Sequence, residues 1–182
     1  MKTYLPDTPP AAPPHSPDAA QKAYKLAYAV HATLSPPATS PVDQDPTFIG
    51  LITLGSLSPS SLFLPPHLAL PASQPQSTLV VEIAYSFLPS SWGHGYATEA
   101  LTAVLYACRS STWKVFWDPW EKVWMRAIVN GRNPASLRVM RKLGDLGVQE
   151  MGVFEWRGKA IFIGGEWRTE DDLYIFGGYL KE

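Results

Sequence analysis

The sequence predicts a domain of the α/β (α+β) class, and three observations carry that reading. The runs along the chain follow the order strand, strand, strand, helix, strand, helix, strand, strand. The 182 residues are about one domain's worth, and 46% of them are hydrophobic, enough for a real core. Proline divides the chain: fifteen of the 18 prolines lie before residue 76, so the regular elements gather behind them.

Residues 1–18 are rich in Pro and Ala with little to bury, and are expected to be a disordered segment. Residues 19–182 form the single domain. AYKLAYAVHATL (23–34) gives a short first element, a strand in its second half. After the loop SPPATSPVDQDP (35–46), TFIGLITLGSL (47–57) reads as a strand rich in Ile, Leu and Thr. Residues 58–77 form a long Pro/Ser loop. TLVVEIAYSFL (78–88) alternates, with Leu79, Val81, Ile83, Tyr85 and Phe87 on one face and Val80, Glu82, Ala84 and Ser86 on the other. Residues 97–109 repeat apolar positions at helical spacing: Ala97, Leu101, Val104, Leu105, Cys108. KVFWDPWEK is an aromatic-rich connector, and VWMRAIVN (123–130) is the next strand. NPASLRVMRKLG (133–144) is a helix with Asn133 as N-cap, Pro134 at the first position and Gly144 as the stop. QEMGVFEWRG (149–158) and DLYIFGGYL (172–180) close the domain as two strands around the turn GGEW.

Composition excludes several classes. The net charge of -1 carries no polybasic signature for nucleic acid or anionic lipid. No apolar run approaches the ~18 residues of a membrane span, and MKTYLPDTPPAAPP has no signal-peptide core. One cysteine, Cys108, allows no intrachain disulfide, so a reducing cytoplasmic or nuclear compartment is expected. Cys108 falls on the apolar side of its helix and is read as core. Basic residues are uneven: residues 1–90 hold three Lys and no Arg, and the other twelve follow Trp92.

Those basic groups travel with SSWGHGYATEAL (90–101), which joins a strand to a helix. A helix start leaves backbone N–H groups without intrahelical partners, and the macrodipole favours an anion there. Gly93 and Gly95 clear side chains from the approach and permit backbone angles other residues resist. The stretch is therefore either a pyrophosphate cradle or simply a tight turn. It is not a P-loop, which needs Gly-Lys-Ser/Thr after its glycines. It is not a dinucleotide fingerprint either, since Thr98 stands where the third glycine would be.

EIAYSFLPSSWGHGYATEAL, followed by AIVNGRNPASLRVMRKLG, resembles the GNAT superfamily of N-acyltransferases. The nearer likeness is to the branch of the ribosomal-protein N-terminal acetyltransferases. The resemblance is clear over residues 78–144. It implies a GNAT-like mixed, mostly antiparallel twisted sheet with flanking helices. It also implies a V-shaped splay between the Glu82 strand and the 123–130 strand, with acetyl-CoA in the opening as the acetyl donor and no metal. The superfamily's Gln/Arg-x-x-Gly-x-Gly/Ala maps onto Trp92, Gly93, His94, Gly95, Tyr96 and Ala97, with Trp92 in the place of Gln/Arg. Amides of residues 93–98 would meet the phosphates, the Thr98 hydroxyl would add a bond, and His94 would contribute mainly its amide. Trp92 and Tyr96 are read as packing the turn. Glu99 complements the helix dipole.

The implied activity is acetyl transfer to a primary amine (a protein N-terminus, a lysine or a small-molecule amine) by direct attack in a ternary complex. Glu82 is the candidate base, against a reading as a solvated strand carboxylate. Asn133 and Ser136 match the branch's Asn-x-x-Ser. Asn133 would position the CoA arm or serve only as N-cap; Ser136 would lie near the sulfur and protonate it, or be an ordinary helix-start serine. Many superfamily members carry a Tyr four residues after this Ser; here that residue is Met140. Arg132, Arg138, Arg141 and Lys142 form a basic cluster that meets phosphates or solvent. Asp145 replaces an aromatic of the family's Lys-Leu-Gly-Phe, so a local rearrangement is expected there. The front of the chain is short of the family's first strand and wall helices, with residues 19–30 as the candidate for one helix. The alternative function is therefore a non-catalytic CoA-binding or interaction module without a complete acceptor site. Homodimers are common in the family; the sequence leaves the oligomeric state open.

Overall fold

The computed structural model describes residues 23–33, 46–58, 61–70, 78–163 and 166–182. The disorder expected for residues 1–18 lies outside the described residues. Among the described residues, six strands form one sheet: β1 (Lys25–Ala32), β2 (Thr47–Ser56), β3 (Thr78–Phe87), β4 (Lys122–Asn130), β5 (Gln149–Ile163) and β6 (Glu166–Lys181). Their order is β1-β2-β3-β4-β6-β5, and every pairing is antiparallel except β3 with β4. The helices are α1 (Pro66–Ala69), α2 (Tyr96–Arg109), α3 (Ser111–Lys114) and α4 (Pro134–Lys142).

The parallel pair fixes the shape of the site. β3 and β4 are joined only from Thr78↔Lys122 to Glu82↔Arg126. Beyond that point β3 runs on to Phe87 and β4 to Asn130, each still paired on its outer side, to β2 and β6. The inner edges are left facing one another across a V. The splay expected between these two strands is present.

One face of the sheet carries the main core. Leu101, Val104, Leu105 and Cys108 of α2 and Leu137 and Met140 of α4 pack on Val30, Ile52, Leu54, Val81, Ile83 and Met125. The connector after α2 turns its aromatics inward: Trp113, Phe116 and Trp117 are buried against Tyr24 and Tyr28. The opposite face holds a smaller cluster of Leu64, Leu68, Trp156, Leu173 and Ile175. Two sequence expectations change here. Residues 25–30, weighed as part of a helix, belong to β1, because Leu26, Tyr28, Val30 and Ala32 alternate into the core. The loop 58–77 contains the short helix α1, held by Leu64 and Leu68 on the second cluster. Asp145 lies exposed in a 3-10 turn, Gly144–Leu146, where Leu146 instead packs against the core.

Cys108 is buried as expected, and burial pushes its thiol up to about 12 from 9.0. The folded chain therefore holds that proton where the unfolded chain releases it. This stabilisation is complete below 9.0 and is lost as pH rises toward about 12. Urea unfolding across an alkaline series should show stability falling through that window. An aromatic disulfide reagent should label Cys108 only after unfolding.

Candidate functional site

The mouth of the V is closed on one side by the turn between β3 and α2. Phe87 ends β3, a 3-10 turn spans Pro89–Ser91, and Trp92 to Gly95 lead into the helix. Gly93 and Gly95 both take left-handed backbone angles, with φ of 80° and 82°. A Cβ built on either would meet nothing within 4 Å. Packing thus leaves room at both positions; what selects glycine is the backbone angle and the open space beside it. Gly95 is the N-cap and offers no side chain to the amides behind it. The first helical bond of α2 runs from the Glu99 N–H to the Gly95 carbonyl. The N–H groups of Tyr96, Ala97 and Thr98 precede it and open onto the cleft, which is the arrangement an anion requires.

Trp92 does less packing than expected. Its ring is 66% exposed, but its indole N–H donates to the Phe87 carbonyl at 2.8 Å, latching the turn to the end of β3. His94 is exposed and stacks on Tyr96, with ring centroids 5.5 Å apart. Glu99 lies exposed in the first turn of α2, where a carboxylate complements the dipole.

The opposite wall is α4. The Asn133 side chain accepts a hydrogen bond from the Ser136 N–H at 3.0 Å, so it is a true N-cap. Its amide nitrogen is the part that can still face the cleft. Between the walls lies an open cavity of about 520 Å3, lined by Tyr85, Ser86 and Phe87 of β3, by Trp92, Gly93 and Gly95–Thr98, and by Asn133, Ser136 and neighbours on α4. The sequence-expected cofactor residues are thereby brought together, apart from His94, which does not line it.

Of the basic cluster, Arg138 and Lys142 line the cavity from one face of α4. Arg141 instead pairs with Glu150 at 2.9 Å and lies over the Tyr174 ring. Arg132 lines a separate polar cavity of about 430 Å3 with Glu155, Asp171 and Asp172. Sequence reasoning did not separate these four. The i, i+4 spacing of Arg138 and Lys142 is the signal that would have done so. It also placed Tyr85 and Phe87 only on the strand face of Leu79, Val81 and Ile83, with no part in the site. Their face is the core face, but they lie past the last β3–β4 pair, where that face opens into the cavity.

Glu82 stands apart. It is not among the residues lining the cavity and lies across β3 from Val81 and Ile83. Its Oε2 accepts from Nε of Arg126 at 2.9 Å and meets Nη2 at 2.8 Å. Arg126 is 3% exposed and also donates to the Leu62 carbonyl at 3.0 Å. The pair thus closes the last rung of the parallel strands, at the apex of the V.

A mixed sheet split at its parallel pair, with an uncapped glycine-flanked helix start at the mouth of the split, defines the N-acyltransferases of the GNAT type. The chain matches the acetyltransferase (GNAT) domain family model over residues 1–144, and it belongs to that family of N-acetyltransferases. Similar solved structures include the spermidine N-acetyltransferase of Vibrio cholerae in complex with CoA and spermine. It is 15% identical over 86% of this chain and 66% of its own, with a TM-score of 0.48. A phosphinothricin acetyltransferase from Sinorhizobium meliloti in complex with acetyl-CoA is 18% identical over 78% of this chain and 59% of its own, at 0.47. A ribosomal-protein-S5-alanine acetyltransferase from Vibrio fischeri is 19% identical over 75% and 56%, at 0.43. The chain thus spans less than two thirds of the length of each of these three. No curated protein sequence matches it.

Proposed function

We propose that the chain binds acetyl-CoA in the V and transfers its acetyl group to a primary amine by direct attack. The observation that carries this is the open run of amides at Tyr96–Thr98 facing a cavity whose far wall bears Arg138 and Lys142. These groups fit a pyrophosphate by charge, by donor type and by the empty space at Gly93 and Gly95. Acetyl-CoA supplies an activated thioester, and the chain must supply the rest. The unpaired inner edge of β3 past Glu82 offers backbone N–H groups to a developing oxyanion. Glu82, directly or through water, takes the proton of the attacking amine. Asn133 and Ser136 line the cleft from the start of α4. The acceptor class stays as broad as the sequence leaves it: a protein N-terminus, a lysine or a small-molecule amine.

The test is release of CoA thiol from acetyl-CoA in the presence of a peptide N-terminus, a lysine peptide and a polyamine. Turnover with any of them supports transfer. A second reading, CoA binding without turnover, is favoured by one observation: Oε2 of Glu82 already holds two contacts to Arg126. Binding with no thiol released from any acceptor would establish it. Trp92→Phe should keep the fold but lose the latch to Phe87, weakening acetyl-CoA about 2- to 10-fold in an equilibrium titration.

A further inference from the structure

The cavity contains more hydroxyl groups than phosphate binding uses. Ser91, Tyr96 and Thr98 belong to the glycine turn and the start of α2, and Ser86 is exposed. Tyr85 differs from all of them. It projects from β3, past the last rung of the parallel pair, and crosses the cleft to α4. There its hydroxyl donates to the Ser136 carbonyl at 3.4 Å. A bond that long is weak and easily exchanged for a better acceptor. The ring is fixed independently, half-buried and edge-on to Phe87 at 6.4 Å.

The leaving group of the proposed reaction is a thiolate, which a hydrogen-bond donor in the cleft would stabilise. We propose that the Tyr85 hydroxyl is the hydrogen-bond donor to the departing sulfur, turning from the Ser136 carbonyl to the sulfur when the cleft is filled. This rests on the acetyl-CoA reading above. The amine nitrogen bonds to the acetyl carbon while the carbon–sulfur bond breaks, its electron pair staying on sulfur. The amine's proton goes to Glu82 or water, and the thiolate takes a proton from solvent on release. Tyr85 need only donate a hydrogen bond, not give up its proton. Burial raises its pKa, partly offset by the side-chain hydroxyl of Ser136, so the phenol keeps its hydrogen at neutral pH. The Ser136 carbonyl parks the phenol, and a side-chain substitution there leaves that carbonyl in place. Met140, on the next turn of α4, is fully buried and has no proton to donate.

The experiment is an ultraviolet titration of the CoA thiol bound to the full chain, with the matching complex of desulfo-CoA subtracted. It is run on wild type, Tyr85→Phe and Ser136→Ala, each checked by near-ultraviolet circular dichroism. Tyr85→Phe should raise the bound thiol's pKa by about one to two relative to wild type. It should also slow acetyl transfer about 10- to 100-fold with little change in acetyl-CoA affinity. Ser136→Ala should leave the thiol's pKa near that of wild type. An unchanged thiol in a folded, CoA-binding Tyr85→Phe would overturn the assignment to Tyr85 alone. A raised pKa in Ser136→Ala only would assign the donor to the serine instead. Failure of wild type to bind CoA would overturn the functional reading itself, and this assignment with it.

Discussion

Gly95→Glu is expected to weaken acetyl-CoA binding by at least about 100-fold while leaving the chain folded, because two or more charge-assisted hydrogen bonds are lost together. The two halves of that expectation have separate causes. At φ 82° any L residue is strained, at a cost of roughly 1–2 kcal/mol. Nothing lies within 4 Å of the new Cβ, so no packing is disturbed. A carboxylate at a helix start also regains about 0.3–1 kcal/mol from the macrodipole. The fold thus loses little. The same carboxylate, however, occupies the amides that the phosphates would use and repels them. Equilibrium dialysis against labelled acetyl-CoA measures the loss. Gly95→Ala, which brings the strain without the charge, should retain most of the affinity. Equal losses in the two variants would mean that backbone strain alone decides the effect.

The second large effect is at Glu82. Glu82→Gln is expected to abolish transfer and also to destabilise the chain, by about 1–3 kcal/mol, since it leaves the buried Arg126 guanidinium without its counter-charge. The figure is held below that of a fully buried pair because the Glu82 side chain is 38% exposed. Activity lost in this variant alone would therefore be ambiguous. Replacing both partners resolves it. Glu82→Leu with Arg126→Met removes the charge and its partner together, and stability should return toward wild type. Transfer should stay absent if Glu82 is the base. Urea unfolding and thiol release, measured on the three proteins, separate the roles; a double variant that is stable and still transfers acetyl would remove Glu82 from the chemistry.

Much of the frame could be read from residues alone. β3 alternated, and its buried side matched the alternation as far as Ile83. Asn133, Pro134 and Gly144 marked α4, and the cap bond from Ser136 to Asn133 is present. The glycine pair marked the turn because no other residue takes those angles at comparable cost. What escaped has physical reasons. Residues 159–171 read as a turn with flanks, yet β5 runs on to Ile163 and β6 begins at Glu166. There the strands pair with each other, Arg157↔Glu170 and Ile161↔Arg168, before β6 joins β4 at Leu173. A ribbon beyond the sheet has no core face, so no alternation betrays it. α1 was hidden in a Pro/Ser loop, being only four residues long with a single buried side chain, Leu68. The bond from Glu82 to Arg126 joins residues 44 apart on a parallel register. No local pattern encodes such a register; it follows from how α2 returns the chain to the sheet.

The most direct measurement is a calorimetric titration of the full chain with acetyl-CoA, repeated in the presence of free CoA. The account predicts one saturable site per chain, competed by CoA. A well-folded chain that takes up no acetyl-CoA would contradict it, and would reduce Gly93 and Gly95 to the making of a turn.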